Sequence, residues 1–189
     1  MGGAASAWVE RFLGGVAAGG AVLDVACGGG RHVALCAERG FSVTGIDRDA
    51  SAARVIAERF GEDRVALLEV DLETGAPFPV AGRLFDGVVV TNYLWRPILA
   101  DIVAAVGPSG ILIYETFAAG HERFGRPTNP DFLLRPGELC EAVHGRLVPV
   151  AYEHVMLATR GSPDRIVQRI AAVGPRHEWL REPPLANSI

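Results

Sequence analysis

The sequence predicts an α/β fold, a seven-stranded and mostly parallel sheet with helices on both faces and one antiparallel strand near its end. Three observations carry that expectation. Short apolar runs alternate with helix-period stretches between Ala21 and Phe117. The first of these runs, Ala21–Ala26, opens into the glycine-rich turn Cys27-Gly-Gly-Gly30, and the second closes on Asp47 about one helix later. Finally, Leu147–Ala158 and Arg165–Val173 are β-rich runs joined by the turn-forming Arg160-Gly-Ser-Pro-Asp164. Continuous apolar runs are the mark of strands buried on both faces, and a hairpin reverses the chain.

The elements follow in order. Trp8, Val9, Phe12, Leu13 and Val16 recur at helical spacing within residues 1–20, which predicts an amphipathic helix laid over the domain. Ala21–Ala26 is the first strand, Arg31–Arg39 a helix stopped by Gly40, and Ser42–Ile46 the second strand. Asp49 reads as an N-cap of a helix whose Ala52, Val55, Ile56 and Phe60 share a face, with Gly61 at its end. Val65–Val70 and Phe85–Thr91 are strands three and four. Pro97 suits the first turn of a helix that buries Ile98, Leu99, Ile102, Val103 and Val106. A Gly107-Pro108-Ser109-Gly110 turn then leads to strand five, Ile111–Phe117. Residues 118–136 are rich in Gly, Pro, Arg, Asn and aromatics and unusually long for a plain connection, which predicts a functional lid. Residues 180–189, with Pro183-Pro184, read as a tail.

Composition narrows the function. At 189 residues the chain suits one domain, 1–189, with one sizeable core. A net charge of -4 and a pI near 5.7 offer nucleic acid no general attraction, so a small-molecule partner is expected. All 18 basic residues are arginine, which beside abundant Ala, Gly and Pro reads as a coding bias. Three cysteines without CxxC spacing argue against a disulfide framework or a metal site. Residues 1–6 lack a basic segment before a long apolar one, and no apolar run reaches about 18 residues, so no membrane partner and a cytoplasmic location are expected. Nothing in the sequence fixes an oligomeric state.

The glycine turn and the acids point to a ribose-bearing cofactor. Glycines let the backbone approach a ligand closely, a helix starting at Arg31 favours an anionic group at its N-terminus, and a carboxylate such as Asp47 at a strand end accepts from two ribose hydroxyls. A dinucleotide fingerprint wants a third small residue for helix–strand packing, and that position holds Val33. This weakens a nicotinamide reading, though the turn alone does not exclude one.

In motif order from Ala21 to Val173, the chain resembles the class I S-adenosylmethionine-dependent methyltransferases. Asp24-Val-Ala-Cys-Gly-Gly-Gly30 resembles the family's first motif, with Ala26 in place of the usual first glycine. Asp47 is similar to the ribose-binding acid, Asp71 in Val70-Asp71-Leu72 resembles the residue that meets the adenine amino group, and Thr91-Asn-Tyr-Leu94 stands where the methyl group lies. Cys27-Gly-Gly-Gly-Arg-His32 is similar to the small bacterial tellurite-resistance and thiopurine-type enzymes. The resemblance implies a Rossmann-like sheet in the order 3-2-1-4-5-7-6, S-adenosylmethionine as cofactor and S-adenosylhomocysteine as product. Implied cofactor-binding residues are Asp24, Ala26, Cys27, Gly28, Gly30, Arg31, Asp47, Arg48, Asp71, Leu72, Asn92 and Tyr93. A macromolecule-directed enzyme is disfavoured by the acidic charge and by the lack of Asn/Asp-Pro-Pro-Tyr at Thr91–Leu94. A non-catalytic S-adenosylmethionine-binding module is the further alternative.

Methyl transfer from a sulfonium is an in-line displacement that rests on alignment, and only some acceptors need a base. Candidate catalytic groups are His32, Tyr93, Glu115 and His121. His32 stands where it either contacts substrate or caps the helix, and Tyr93 and Trp95 either shape the pocket or pack in the core. Within the lid, Arg123 and Arg126 are placed to clamp an anionic substrate, Phe117 and Phe124 to cover an apolar part, and Phe132 to do the same; Asn129 completes the expected substrate set. The alternative is a solvated loop with ordinary surface arginines.

Overall fold

A computed structural model describes residues 3–158 and 164–184. Its strands are β1 (Ala21–Val25), β2 (Ser42–Asp47), β3 (Val65–Glu69), β4 (Phe85–Thr91), β5 (Val106–Phe117), β6 (Val148–Leu157) and β7 (Arg165–Val173). They form one sheet in the order β3-β2-β1-β4-β5-β7-β6, parallel except that β7 runs antiparallel to both of its neighbours. The helices are α1 (Ala7–Phe12), α2 (Arg31–Glu38), α3 (Ser51–Phe60), α4 (Leu99–Ala104) and α5 (Glu138–Val143).

Side chains alternate across each strand, and this sorts the core into two layers. Leu23, Val25, Val88, Val90, Leu112 and Tyr114 pack with Ile102 and Val103 of α4 and Leu139 and Val143 of α5. On the other face, Val22, Val43, Val89, Ile111 and Ile113 meet Trp8 and Phe12 of α1 and Val33 and Cys36 of α2. Ser6 caps α1 by accepting from the Trp8 N–H at 3.1 Å, and the Trp8 indole donates to the Ile170 carbonyl at 3.2 Å, so the first helix is fastened to β7.

The bulky Val33 is accommodated from across the interface. A Cβ added at Gly45 on β2 would stand 3.2 Å from Val33 Cγ2 and 3.1 Å from Cys27 Sγ. The small residue that helix–strand packing requires is therefore on β2 rather than on α2.

Several boundaries differ from the sequence expectation by a residue or more, and three of them bear on packing or on the site. Ala50, not Asp49, precedes α3, although Asp49 Oδ1 still accepts from the Ser51 N–H at 3.1 Å. Residues 107–110 belong to β5 as a bulge rather than to a separate turn, since the pairing passes from Phe85↔Val106 directly to Gly87↔Ile111. Glycine is required there because a Cβ at Gly110 would fall 2.6 Å from the Phe85 carbonyl oxygen. The first strand ends at Val25, where Ala26 turns into the left-handed region with φ 54°. Residues 160–163 of the expected hairpin turn and 185–189 of the expected tail lie outside the described residues.

Residues 118–136 contain only short 3-10 turns, His121–Arg123 and Pro130–Phe132. Both ends are pinned to the sheet, where Ala118 N–H donates to the Ile166 carbonyl and Leu134 N–H to the Phe117 carbonyl, and to each other, where Ala119 N–H donates to the Leu134 carbonyl. No described helix is long and apolar enough to cross a membrane.

Candidate functional site

The carboxyl ends of β1 to β4 open on a cleft of about 520 Å³. Its walls include Ala26, Asp47, Arg48, Asp71, Leu72, Asn92, Tyr93 and Phe132. A larger hollow of about 740 Å³ lies at the opposite end of the strands, beside Gly15, Phe41, Ser109 and Arg176. Parallel sheets place ligand chemistry at their carboxyl ends, so the smaller cleft is the relevant one.

The turn after β1 is locked to β2. Gly28, with φ 51°, donates its N–H to Asp47 Oδ2 at 2.7 Å, while Asp47 Oδ1 accepts from the Asp49 N–H at 3.0 Å. Each oxygen keeps acceptor capacity for a ligand hydroxyl. Gly30 serves packing instead, because a Cβ there would stand 2.6 Å from Ile56 Cδ1 on α3. Cys27 likewise turns its thiol into the core, where burial, then Asp24 and Asp47, push its pKa up. The cleft thus takes Ala26, rather than the Cys27 or Gly30 side of the turn. Ala26 and Asn92 are the two described non-glycine residues with positive φ, and both line the cleft. Such strain collects where a ligand must be met closely.

Asp24 stands on β1 behind the turn, 1% exposed, and its Oδ2 has no hydrogen-bond partner among the described residues. Burial raises its pKa to about 8 against the lowering pull of Arg31, so at neutral pH the carboxyl is largely protonated. Arg31 bridges elements, donating to the Ala4 carbonyl and, at 3.3 Å, to Thr91 Oγ1 at the end of β4. Asp71 lies at the cleft edge after β3 with Oδ1 accepting from the Glu73 N–H.

Toward β5 the cleft shares Glu73, Asn92, Tyr93 and Phe132 with a second hollow of about 190 Å³, lined further by Leu94, Thr116, Phe117 and Pro127. The Tyr93 hydroxyl is buried and has no hydrogen-bond partner among the described residues, and burial followed by Glu73, Asp71 and Asp47 raises its pKa, so it stays a neutral phenol rather than a base.

The other expected residues are placed elsewhere. His32 is 1% exposed: its Nε2 accepts from the Ser6 N–H at 3.0 Å and its Nδ1 faces Thr91 Oγ1 at 3.4 Å. Burial, then Arg31, lower its pKa to about 4, so it is a neutral strut between the N-terminal segment and β4. Glu115 is 4% exposed and accepts from Ser6 Oγ and from Arg169, on that same face. His121 stacks on Phe117 with centroids 4.3 Å apart, and its Nε2 lies 3.0 Å from the Arg126 carbonyl, behind the hollow. Arg123 is exposed, bonded to the Gly120 carbonyl and set over Phe124; Arg126 is exposed too, and neither arginine lines the cleft or the hollow. Asn129 caps the turn Pro130–Phe132 through Asp131 N–H, and Trp95 packs against the core.

Arg96 has a role that the sequence did not suggest. Its guanidinium donates to both oxygens of Glu138, at 2.7 and 2.9 Å, and to the carbonyls of Asp131 and Leu133, at 2.6 and 2.9 Å. Burial alone would raise the Glu138 carboxyl, but the bonds from Arg96 and from the Arg135 N–H outweigh it and hold it low. Phe132 lies between the two clasped carbonyls, so Arg96 sets the ring that walls both cavities.

Residues 22–110 match the family described as Methyltransferase domain, a stretch that runs from β1 into β5 and contains Asp24, Asp47, Asp71 and Asn92. Residues 22–110 thus carry a methyltransferase domain. TehB from Haemophilus influenzae superposes on this methyltransferase domain with a TM-score of 0.68 at 17% identity, covering 88% of this chain and 61% of that one. The 1,6-didemethyltoxoflavin-N1-methyltransferase of Burkholderia thailandensis, solved with 1,6-didemethyltoxoflavin and S-adenosylhomocysteine, gives 0.62 at 20% identity, over 88% of this chain and 74% of that one. A ribosomal RNA small subunit methyltransferase H from Gemmatimonas aurantiaca is 40% identical over 74 residues, 36% of this chain and 24% of the relative. The chain thus spans about a quarter of that curated relative's length.

Proposed function

We propose that the methyltransferase domain transfers a methyl group from S-adenosylmethionine to a small-molecule acceptor. One observation carries the reading: the cleft under Asp47 and Asp71 and the 190 Å³ hollow share a wall, Glu73, Asn92, Tyr93 and Phe132, so two ligands can meet end to end. The cofactor supplies a sulfonium methyl that an acceptor lone pair displaces in line. Asp47 would hold the ribose hydroxyls, and Asp71 with Leu72 the adenine. Asp24, once ionised, would face the ammonium group from behind the turn, and the N-terminus of α2 at Arg31 would face the carboxylate. The lid 118–136 excludes water through Phe132, and the account needs no general base.

The 40% identity to a ribosomal RNA methyltransferase favours a second reading, an RNA acceptor. A single assay separates them. The protein is supplied with methyl-labelled S-adenosylmethionine and either a small-molecule cell extract or total RNA. Label in the small-molecule fraction is the expected result; label in RNA alone would establish the second reading.

A further inference from the structure

We propose that the 190 Å³ hollow selects an uncharged acceptor of single-ring size and turns anionic acceptors away. The inference rests on the methyltransferase reading and names the substrate class of the same site. Size sets the first limit: at about 30 Å³ per water of liquid volume, the hollow has room for about six waters, close to one ring with a small substituent. Shape sets the second. Phe117, Phe132, Pro127 and Leu94 supply apolar walls, and Glu73, Asn92 and Thr116 are the polar residues of the lining.

Charge sets the third limit. Glu73 belongs to the hollow itself, and Asp71 and Asp47 stand beyond Tyr93 in the adjoining cleft. Arg48 is the one cation in the described lining of either cavity, on the Asp47 side. Arg123 and Arg126, which a substrate anion would need, line neither. An anion entering here would face carboxylates without a counter-charge. A neutral acceptor instead gives its lone pair to the methyl carbon while the carbon–sulfur pair stays on sulfur. The positive charge lost by the sulfonium then appears on the acceptor, beside Glu73.

The test uses the full chain loaded with S-adenosylhomocysteine and ligand-observed NMR with two matched pairs at pH 7.5: benzamide against benzoate, and pyridine-3-carboxamide against pyridine-3-carboxylate. Both amides should bind, each at least about tenfold tighter than its carboxylate. Glu73→Gln, at an exposed position, should narrow that ratio. Carboxylates that bind as well as amides would overturn the proposal, as would a ratio indifferent to Glu73→Gln or a failure of every ring probe to bind the loaded protein. Failure of S-adenosylhomocysteine itself to bind would overturn the cofactor reading, and this proposal with it.

Discussion

The Asp47 side of the cleft is made by groups close to strand ends, whereas the Phe132 side is held by side chains recruited across long stretches of chain. Asp47 is the last residue of β2 and reaches the glycine turn only 19 residues away. Phe132 is set by Arg96, whose partner Glu138 lies 42 residues further on. Local construction fixes a generic cradle for a common ligand. Construction by long-range tethers leaves the acceptor wall free to vary while the cradle stays, which suits a fold that hosts many specificities.

The largest effect expected comes from breaking the tether. Arg96→Ala leaves the buried Glu138 without its main partner and frees two carbonyls, which should cost about 3 kcal/mol. That is a fall in Tm of about 6–12 °C by calorimetry. Arg96→Lys should recover only part, because an ammonium cannot reproduce the forked contact. If the halves are as separate as their construction implies, S-adenosylhomocysteine affinity should change by less than about threefold in Arg96→Lys. A parallel collapse would show them to be one unit.

Next in size is the pH response of the cofactor side. The folded Asp24 pKa, raised to about 8, lies above its unfolded value of 3.8, so the native state holds a proton that the unfolded chain gives up. That contribution is present at low pH and is lost as pH rises through about 8. His32 acts in the opposite sense and over a lower window. With its folded pKa lowered to about 4 from 6.5, its contribution is present above pH 6.5 and is lost as pH falls toward 4. Between pH 6.5 and 8 Asp24 dominates this pair, and the ligand-free Tm should fall by about 5 °C. Asp24→Asn should flatten that slope; an unchanged slope would remove Asp24 as its cause.

The contrast between the halves also explains what could be read in advance. The alternation of elements was legible because each signal is a short run with an acid or a glycine at its end, and the sheet order came with the family resemblance rather than from any run. Gly30 and Cys27 looked like ligand contacts from the same run, yet one packs on α3 and the other in the core, a distinction set by neighbours on other elements such as Ile56 and Gly45. His32 and Glu115 were legible as polar residues near strand ends. Their partner Ser6 lies on a segment whose docking no local pattern encodes. Arg96 was missed because an arginine before a proline carries no sign of a clasp 35 to 42 residues off.

The smallest effect concerns the turn itself. Ala26→Gly relieves a left-handed alanine, partly offset by the greater freedom of unfolded glycine, and should stabilise the protein by about 1 kcal/mol in urea unfolding. A loss of stability would mean that the Ala26 methyl packs usefully, and that the turn is not strained.

The central claim is that Asp47 marks the ribose end of a cofactor cleft. Calorimetric titration of S-adenosylhomocysteine into the protein and into Asp47→Ala tests it most directly. Losing charge-assisted hydrogen bonds to the ligand should weaken binding by about 100-fold while the circular dichroism spectrum persists. Equal affinity in the two proteins would contradict the account.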